Sequence, residues 1–181
     1  MMTVSNKKII IGFFIAFVIG LNIYNIPLKA NDEDSASIQS VSMTDVNSEF
    51  NAPKVNQTIN QYLDDPVDFT KYKKVIFTFW ATWCPSCRRE NQIFNDIVKQ
   101  SKELLIIAIS LDKDQSALDK YLQDNPLSFP VVHIKKDIAL YFDDIMAVPT
   151  HFIYDTKTKN IQKSMGLLDE SELKQLIKEP I

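Results

Sequence analysis

The stretch FTFWATWCPSCRREN, residues 77–91, contains both cysteines of the chain, at positions 84 and 87. A β-rich run, Lys74–Trp80, leads into it and predicts a strand buried on both faces. From Pro85 to about residue 102 the apolar residues recur at helical spacing, and proline is favoured at the first helical position. The cysteine pair is therefore predicted to lie where a buried strand passes directly into a helix, with Cys84 as the N-cap.

This position has a chemical consequence for the two thiols. If Pro85 is the first helical residue, the Cys84 sulfur faces the free backbone N–H groups of Ser86 and Cys87. Those donors and the positive end of the helix stabilise a thiolate. Cys87, one turn further in, is predicted to be less exposed and able to attack the first sulfur. An outer nucleophile and an inner resolving thiol are what dithiol–disulfide exchange requires.

Three other interpretations of the pair compete with redox exchange. A structural zinc site normally needs four ligands, and the spacing of the only two histidines, His133 and His151, matches no zinc finger or knuckle. A copper site made of the two thiols and one histidine is a second alternative. Two inert structural cysteines are the third, although a strand–Cys-Pro–helix junction suits a reactive thiol better.

Composition limits the class of protein. The chain has 181 residues, of which 45% are hydrophobic and 24% charged, which predicts one globular domain with accessory segments. The formal net charge of −3 argues against a nucleic-acid binder, which would normally carry a basic stripe. Glycine occurs only three times, and no Gly-rich phosphate loop can be found.

The N-terminal region has the pattern of a targeting segment. Lys7 and Lys8 precede an apolar run, Ile9–Leu21, that continues loosely to Leu28. Residues 1–30 are predicted to be a secretory signal peptide cleaved after Ala30, or an uncleaved membrane anchor through residues 9–28. The alternative is a buried core helix. An exported chain would place the CxxC pair outside the reducing cytosol, where it can persist as a disulfide or cycle with partners.

The rest of the chain predicts one α/β domain. Polar residues 31–55 are interpreted as a linker, with a short edge strand in part of that segment as the alternative, and residues 56–181 as the domain. Strands alternating with helices imply parallel strands, and a final hairpin makes the central sheet mixed, with helices flanking it. Besides the strand and helix around the cysteines, the predicted elements are a short helix at 59–63, a strand at 104–110, a helix at 113–124, an extended piece at 129–132, a short helix at 138–142, a hairpin of strands at 150–154 and 161–165, and a helix at 169–178 capped by Asp169 or Ser171.

The segment FWATWCPSCRRE, followed far downstream by VPTHFIYD, resembles the thioredoxin superfamily. It is most similar to the exported, often membrane-tethered TlpA/ResA-like thiol–disulfide oxidoreductases, which include reductases of cytochrome c maturation. The resemblance covers about residues 56–181 and implies a thioredoxin-like fold. It makes Cys84 the attacking thiol and Cys87 the resolving thiol, with Trp83 flanking the site. Pro149 matches the family's cis-proline opposite the disulfide, and Val148 would offer its backbone to a bound substrate segment.

Two positions refine the resemblance. Thioredoxins carry a buried acid six residues before the first cysteine, where this chain has Thr78. Glu90 matches a glutamate in the ResA-like pattern WCxxCxxE, on the helical face of the inner thiol, and is a candidate proton relay. The alternative is a solvated helix glutamate. His151 is expected either near the disulfide, where it would respond to pH, or as an ordinary strand histidine.

The resemblance implies a protein disulfide oxidoreductase on the outer side of a bacterial inner membrane. It would exchange its disulfide with protein clients as a reductant, with apocytochrome c thiols as the favoured client and a membrane dithiol as the electron donor. No metal, flavin or nucleotide cofactor is implied. The alternatives are a disulfide oxidase or isomerase, and a copper-binding metallochaperone that uses the two thiols with His133 or His151.

Overall fold

The structure, a computed structural model, describes residues 50–143 and 145–181. The predicted signal peptide or anchor at residues 1–30 and most of the predicted linker at 31–55 lie outside the described residues. Within the described ranges, no helix is both long enough and apolar enough to cross a membrane.

The centre of the fold is a five-stranded mixed sheet in the order β3-β2-β1-β4-β5. Strands β1 to β3 are parallel, whereas β4 is antiparallel to β1 and β5 is antiparallel to β4. This arrangement confirms the predicted α/β class. The strands are β1, Lys74–Trp80; β2, Leu104–Ser110; β3, Val131–His133; β4, Thr150–Asp155; and β5, Ile161–Met165.

Helices cover both faces of the sheet. The capping of the last one follows the prediction: the Asp169 carboxylate accepts from the backbone N–H groups of Ser171 and Glu172, and the Glu172 side chain accepts in return from the Asp169 N–H. The helices are α1, Ala52–Asn60; α2, Pro85–Gln100; α3, Gln115–Asp124; α4, Lys136–Ala139; and α5, Glu170–Lys178, with a 3-10 turn at Phe69–Lys71.

The start of the folded domain differs from the prediction. Helix α1 spans Ala52–Asn60 rather than 59–63, and the Asn51 side chain caps it by accepting from the Lys54 N–H at 3.1 Å. Before it, the Phe50 ring lies 5.9 Å from the ring of Phe77. The predicted domain boundary at residue 56 therefore falls inside a helix that packs on the core. Smaller differences in bounds affect α2, α3, β3, α4, β4 and α5.

The side chains of β1 alternate between two core layers. Val75, Phe77 and Phe79 pack on one face of the sheet, in the layer that includes α1 and α4. Ile76 and Trp80 pack on the other face, together with both cysteines and residues of α2, α3 and α5. Because neighbouring strand residues point to opposite faces, Thr78 and His151 lie on the α2 face of the sheet.

A buried ion pair lies at the end of the sheet remote from the cysteines. Lys74 begins β1 and Asp155 ends β4, and the two are paired across the strands. The Lys74 Nζ lies 2.6 Å from the Asp155 Oδ2, and the side chains are 3% and 5% exposed. Burial raises the pKa of Asp155, but hydrogen bonds from Lys74 and three backbone N–H groups outweigh burial and hold the pKa at about 2. The backbone donors belong to Thr158, Lys157 and Ile181.

Candidate active site

Cys84 and Cys87 form a disulfide at the first turn of α2, with their Cα atoms 5.3 Å apart. Cys84 is the N-cap in an extended conformation and Pro85 opens the helix, as predicted. The Cys84 Sγ accepts a hydrogen bond from the Cys87 N–H at 3.2 Å. Cys84 is 4% exposed and Cys87 is fully buried, so the outer sulfur is the one nearer to solvent.

Two further groups contact the outer sulfur. The Ser86 Oγ lies 3.2 Å from the Cys84 Sγ, and its hydroxyl must be the donor because a disulfide sulfur carries no hydrogen. The backbone carbonyl oxygen of Val148 lies 3.8 Å from the same sulfur. After reduction, a Cys84 S–H could donate to that carbonyl. The outer sulfur therefore has a potential hydrogen-bond partner in both redox states.

The loop that carries Val148 faces the disulfide. The Val148–Pro149 peptide bond is cis, as predicted. Pro149 is buried, and its carbonyl accepts from the Gly166 N–H at 2.9 Å. The Thr150 hydroxyl donates to the Ala147 carbonyl at 2.7 Å across the same turn. These bonds hold the loop so that the Val148 carbonyl stays beside the Cys84 sulfur.

Two exposed apolar side chains lie close in sequence to Cys84 and Val148, which meet at the outer sulfur. Trp83, immediately before Cys84, is 67% exposed, and Met146, in the loop that carries Val148, is 84% exposed. Val148 itself is partly buried. Large apolar side chains left in water beside a reactive group mark a surface suited to contact another protein. We call Trp83, Met146 and Val148 the apolar rim.

Glu90 is buried on α2, not solvated as the alternative interpretation required. It lies one helical turn after Cys87 and has no exposed surface. Its Oε1 accepts from the Leu168 N–H at 2.7 Å and lies 3.1 Å from the Nε2 of His151, which is also fully buried. The structure therefore brings Glu90 and His151 together on the α2 face of the sheet.

The contacts of His151 fix which ring nitrogen carries hydrogen. Its Nε2 lies 2.9 Å from the Gly166 carbonyl, which can only accept, so Nε2 must be protonated. The Nδ1 atom of His151 and the Oε2 atom of Glu90 are buried and have no hydrogen-bond partner among the described residues. Thr78, in place of the buried acid of thioredoxins, lies opposite His151 across β1 and β4.

Asp112 supports the loop before the cysteines, and the sequence interpretation missed it. Its carboxylate accepts from the Thr82 N–H at 3.0 Å, from the Thr82 hydroxyl at 2.7 Å and from the Ser110 hydroxyl at 2.7 Å. Asp112 is 4% exposed. The carboxyl ends of β1 and β2, which are neighbouring parallel strands, meet at one edge of the sheet. That rule could have placed Asp112 beside the active-site loop.

Replacing Asp112 with alanine is expected to loosen this loop. The change leaves three buried or half-buried donors without their acceptor, so we expect a loss of about 2 kcal/mol in the free energy of unfolding, measured in urea. Asp114→Ala is the matched control, because Asp114 is exposed and makes no capping hydrogen bond to α3. Equal losses from the two substitutions would contradict the supporting role of Asp112.

The two histidines do not form a metal cluster with the cysteines. The His133 Nε2 lies 2.6 Å from the Asp112 carbonyl, and the His151 Nε2 contacts the Gly166 carbonyl and Glu90. Over residues 50–143 and 145–181, no group of three His, Cys, Asp or Glu side chains is placed to hold a metal ion.

Comparisons with known proteins agree with this geometry. Residues 72–161 match a family model described as thioredoxin-like. Thiol-disulfide oxidoreductase ResA of Bacillus thuringiensis subsp. konkukian is 30% identical over 110 residues, which is 60% of this chain and 64% of ResA. Thioredoxin-like protein YneN of Bacillus subtilis is 30% identical over 109 residues, 58% of this chain and 64% of YneN. The crystal structure of StoA from Bacillus subtilis aligns with a TM-score of 0.51 at 26% identity, covering 59% of this chain and 83% of StoA.

The matched segments cover slightly less than two thirds of the ResA and YneN relatives. Within this chain, the family model covers strands β1 to β4, the start of β5 and the cysteine pair. The predicted thioredoxin-like fold is confirmed by that match and by the observed sheet. Because the cysteine pair and most of the sheet fall within the same match, residues 72–161 form a thioredoxin-like domain, and ResA-type thiol–disulfide oxidoreductases are among the proteins to which the chain is similar.

Proposed function

We propose that the protein is an extracytoplasmic thiol–disulfide oxidoreductase that exchanges the Cys84–Cys87 disulfide with cysteines of protein clients. One observation carries the proposal. The disulfide is held at the N-terminus of α2, with the outer sulfur near the surface and the inner sulfur fully buried. This is the arrangement that directs attack to one sulfur and keeps the other for resolution.

The first step uses the outer sulfur. In the oxidised protein, a partner thiolate attacks the Cys84 Sγ, the disulfide breaks, and the electron pair leaves on Cys87. In the reduced protein, the Cys84 thiolate attacks a client disulfide, and Cys87 then attacks the mixed disulfide to release the client. The Cys87 N–H and the Ser86 hydroxyl, each 3.2 Å from the Cys84 Sγ, stabilise negative charge on that sulfur.

The apolar rim and the Val148 backbone would receive the client. An extended client segment could pair with the Val148 backbone, as strand-addition complexes do, while Trp83 and Met146 contact its apolar side chains. Such a segment would hold a client cysteine next to the Cys84 Sγ, because the Val148 carbonyl already lies 3.8 Å from that sulfur.

We propose that the protein works as a reductant, with apocytochrome c thiols as favoured clients and a membrane dithiol as donor. Similarity to ResA-type oxidoreductases and the apolar segment at residues 9–28 support this assignment. The redox equilibrium with glutathione tests the direction. A potential close to that of the strong oxidant DsbA would instead favour the oxidase or isomerase alternative.

Cys87→Ser is expected to trap mixed disulfides between Cys84 and client proteins, because the resolving thiol is gone while the attacking thiol remains. The full-length chain would be produced in a bacterium that exports it, and the adducts resolved on non-reducing gels. The Cys84→Ser/Cys87→Ser double variant is the control and should form none. If the single variant forms no reducible adducts in the extracytoplasmic compartment, the protein does not exchange disulfides with clients there.

A further inference from the structure

The Glu90–His151 pair has two atoms that are free to take or release a proton. Glu90 Oε1 already accepts from the Leu168 N–H and from His151 Nε2. The Nε2 hydrogen of His151 is directed at Oε1 and at the Gly166 carbonyl. Protons can therefore be exchanged at Glu90 Oε2 and His151 Nδ1, which are buried and have no partner among the described residues.

Glu90 is the one ionisable side chain that contacts His151 within the described part of the chain. While the disulfide is intact, the groups that face His151 from the other packed elements are neutral and do not titrate near neutral pH. On the neighbouring strands these groups are Thr78 on β1 and Ser164 on β5. On α2 they are the Phe94 ring and Cys87, which lies one turn before Glu90. A proton held by one member of the pair is therefore shared chiefly with the other.

We propose that His151 is a positioning residue that shares one proton with Glu90, and that this pair delivers the proton to the Cys87 thiolate through Glu90 when the disulfide is reduced. The inference rests on the proposed function, since it concerns the same cysteine pair. It adds His151 to the candidate relay. His151 lies on β4, directly opposite Thr78 on β1, the position at which thioredoxins have their buried acid.

A dithiol partner attacks Cys84 through one thiolate, the Cys84–Cys87 bond breaks, and Cys87 leaves as a thiolate. The pair gives this thiolate its proton and is left as a Glu90 carboxylate beside a neutral His151. The second thiolate of the partner then attacks the mixed disulfide and releases Cys84. The partner dithiol is oxidised to a disulfide, the protein gains two electrons, and the pair recovers its proton from water.

The burial of both side chains explains why the pair would act as a unit. An isolated carboxylate or imidazolium with no exposed surface is costly, whereas a proton shared between the two keeps the pair neutral. Releasing that proton costs least when it goes to a neighbouring group that has just become negative. The Cys87 sulfur becomes negative when the disulfide opens, one turn before Glu90 on α2.

The test is the pH profile of the rate at which dithiothreitol reduces the disulfide, for the full chain and its His151→Gln variant. Glutamine can keep the hydrogen bond to the Gly166 carbonyl but holds no mobile proton. We expect the variant to be reduced at least about tenfold more slowly, because Glu90 no longer shares a proton with His151 and general acid catalysis by the pair is impaired. We also expect the inflection of its profile to move by about one pH unit. His133→Gln is the matched control: its Nε2 also bonds a backbone carbonyl, but it does not contact Glu90, so the inflection should stay in place.

A double variant separates this role from a structural one. In the Glu90→Gln background, His151→Gln should produce no further shift of the inflection, because His151 acts through Glu90. A His151→Gln profile that superimposes on the wild type, or an undiminished shift in the Glu90→Gln background, would overturn the proposal.

A second measurement does not require the variant to fold. In the wild-type protein with isotope-labelled histidine, the nitrogen signals of His151 should differ between disulfide and dithiol forms at the same pH, while those of His133 should not. Identical His151 signals in both forms would also overturn the proposal. Dithiothreitol is a small dithiol, so these results do not depend on any client. A failed trapping experiment would count against the proposed function alone.

Discussion

Replacing Cys84 with serine is expected to reduce disulfide exchange to the rate of the uncatalysed reaction. Serine at this position keeps the N-cap of α2, since its hydroxyl oxygen can accept from the Cys87 N–H as the sulfur does. Its hydroxyl remains protonated at neutral pH and cannot form a mixed disulfide. The measurement is the reduction of a protein disulfide under steady-state conditions, with far-ultraviolet circular dichroism as the check on folding.

Cys87→Ser is the matched partner of this variant. It too should lose steady-state turnover. Its Cys84 thiolate can still attack a client disulfide once, so mixed disulfides should accumulate. The asymmetry follows from the positions of the two sulfurs, because Cys84 is next to the surface and Cys87 is fully buried. If Cys84→Ser forms client adducts and Cys87→Ser does not, the assignment of outer and inner thiol is reversed.

The second large effect concerns stability. Lys74→Met is expected to lower the free energy of unfolding by about 3 kcal/mol, because it leaves the Asp155 carboxylate buried without its ammonium partner. The backbone N–H donors that remain on Asp155 keep the loss at the lower end of the range for broken buried pairs. Urea unfolding at neutral pH measures it. Lys73→Met is the control, since the neighbouring Lys73 pairs with Glu103 at the surface, where the side chains are 64% and 50% exposed.

The same pair predicts a dependence of stability on pH. The pKa of Asp155, about 2 in the folded protein, lies below its ordinary value of 3.8. Its contribution is therefore complete above a pH of about 3.8 and is lost as the pH falls through about 2. That difference in pKa corresponds to about 2 kcal/mol. The difference in the free energy of unfolding between wild type and Lys74→Met should become smaller as the pH falls through this window. A difference that stays constant would contradict the assignment of the low pKa to Asp155.

The strands were the most predictable part of the fold. The observed bounds of β1, β2 and β5 are those predicted, because unbroken or regularly alternating apolar runs ended at clear turn signals. Helix α1 was placed too late, since its buried positions, Ala52, Val55 and Ile59, are separated by polar residues and resemble a linker. The periodicity of apolar residues predicts a helix least reliably where only a few apolar residues pack the helix on the core.

The active site was predictable only in part, for a different reason. The N-cap position of Cys84 and the cis bond before Pro149 follow from short segments that the sequence displays directly. The contact between Glu90 and His151 depends on how β4 pairs with β1 and how α2 lies across both strands. No local pattern encodes such a contact. Asp112 was missed because its partners lie at the end of a neighbouring strand.

The position of the Val148 carbonyl means that the proposed docking of a client would affect the reactivity of Cys84 as well as the placement of the client. In the dithiol form this oxygen is an acceptor within reach of a Cys84 S–H, which is a weak donor. A backbone N–H from a docked client is a stronger donor and would compete for the same oxygen. We expect the thiol that loses this acceptor to give up its proton more readily, so that the sulfur becomes a nucleophile when a client segment arrives. Without a bound client, the dithiol form of the protein would react more slowly with small oxidants than it does when a client is docked.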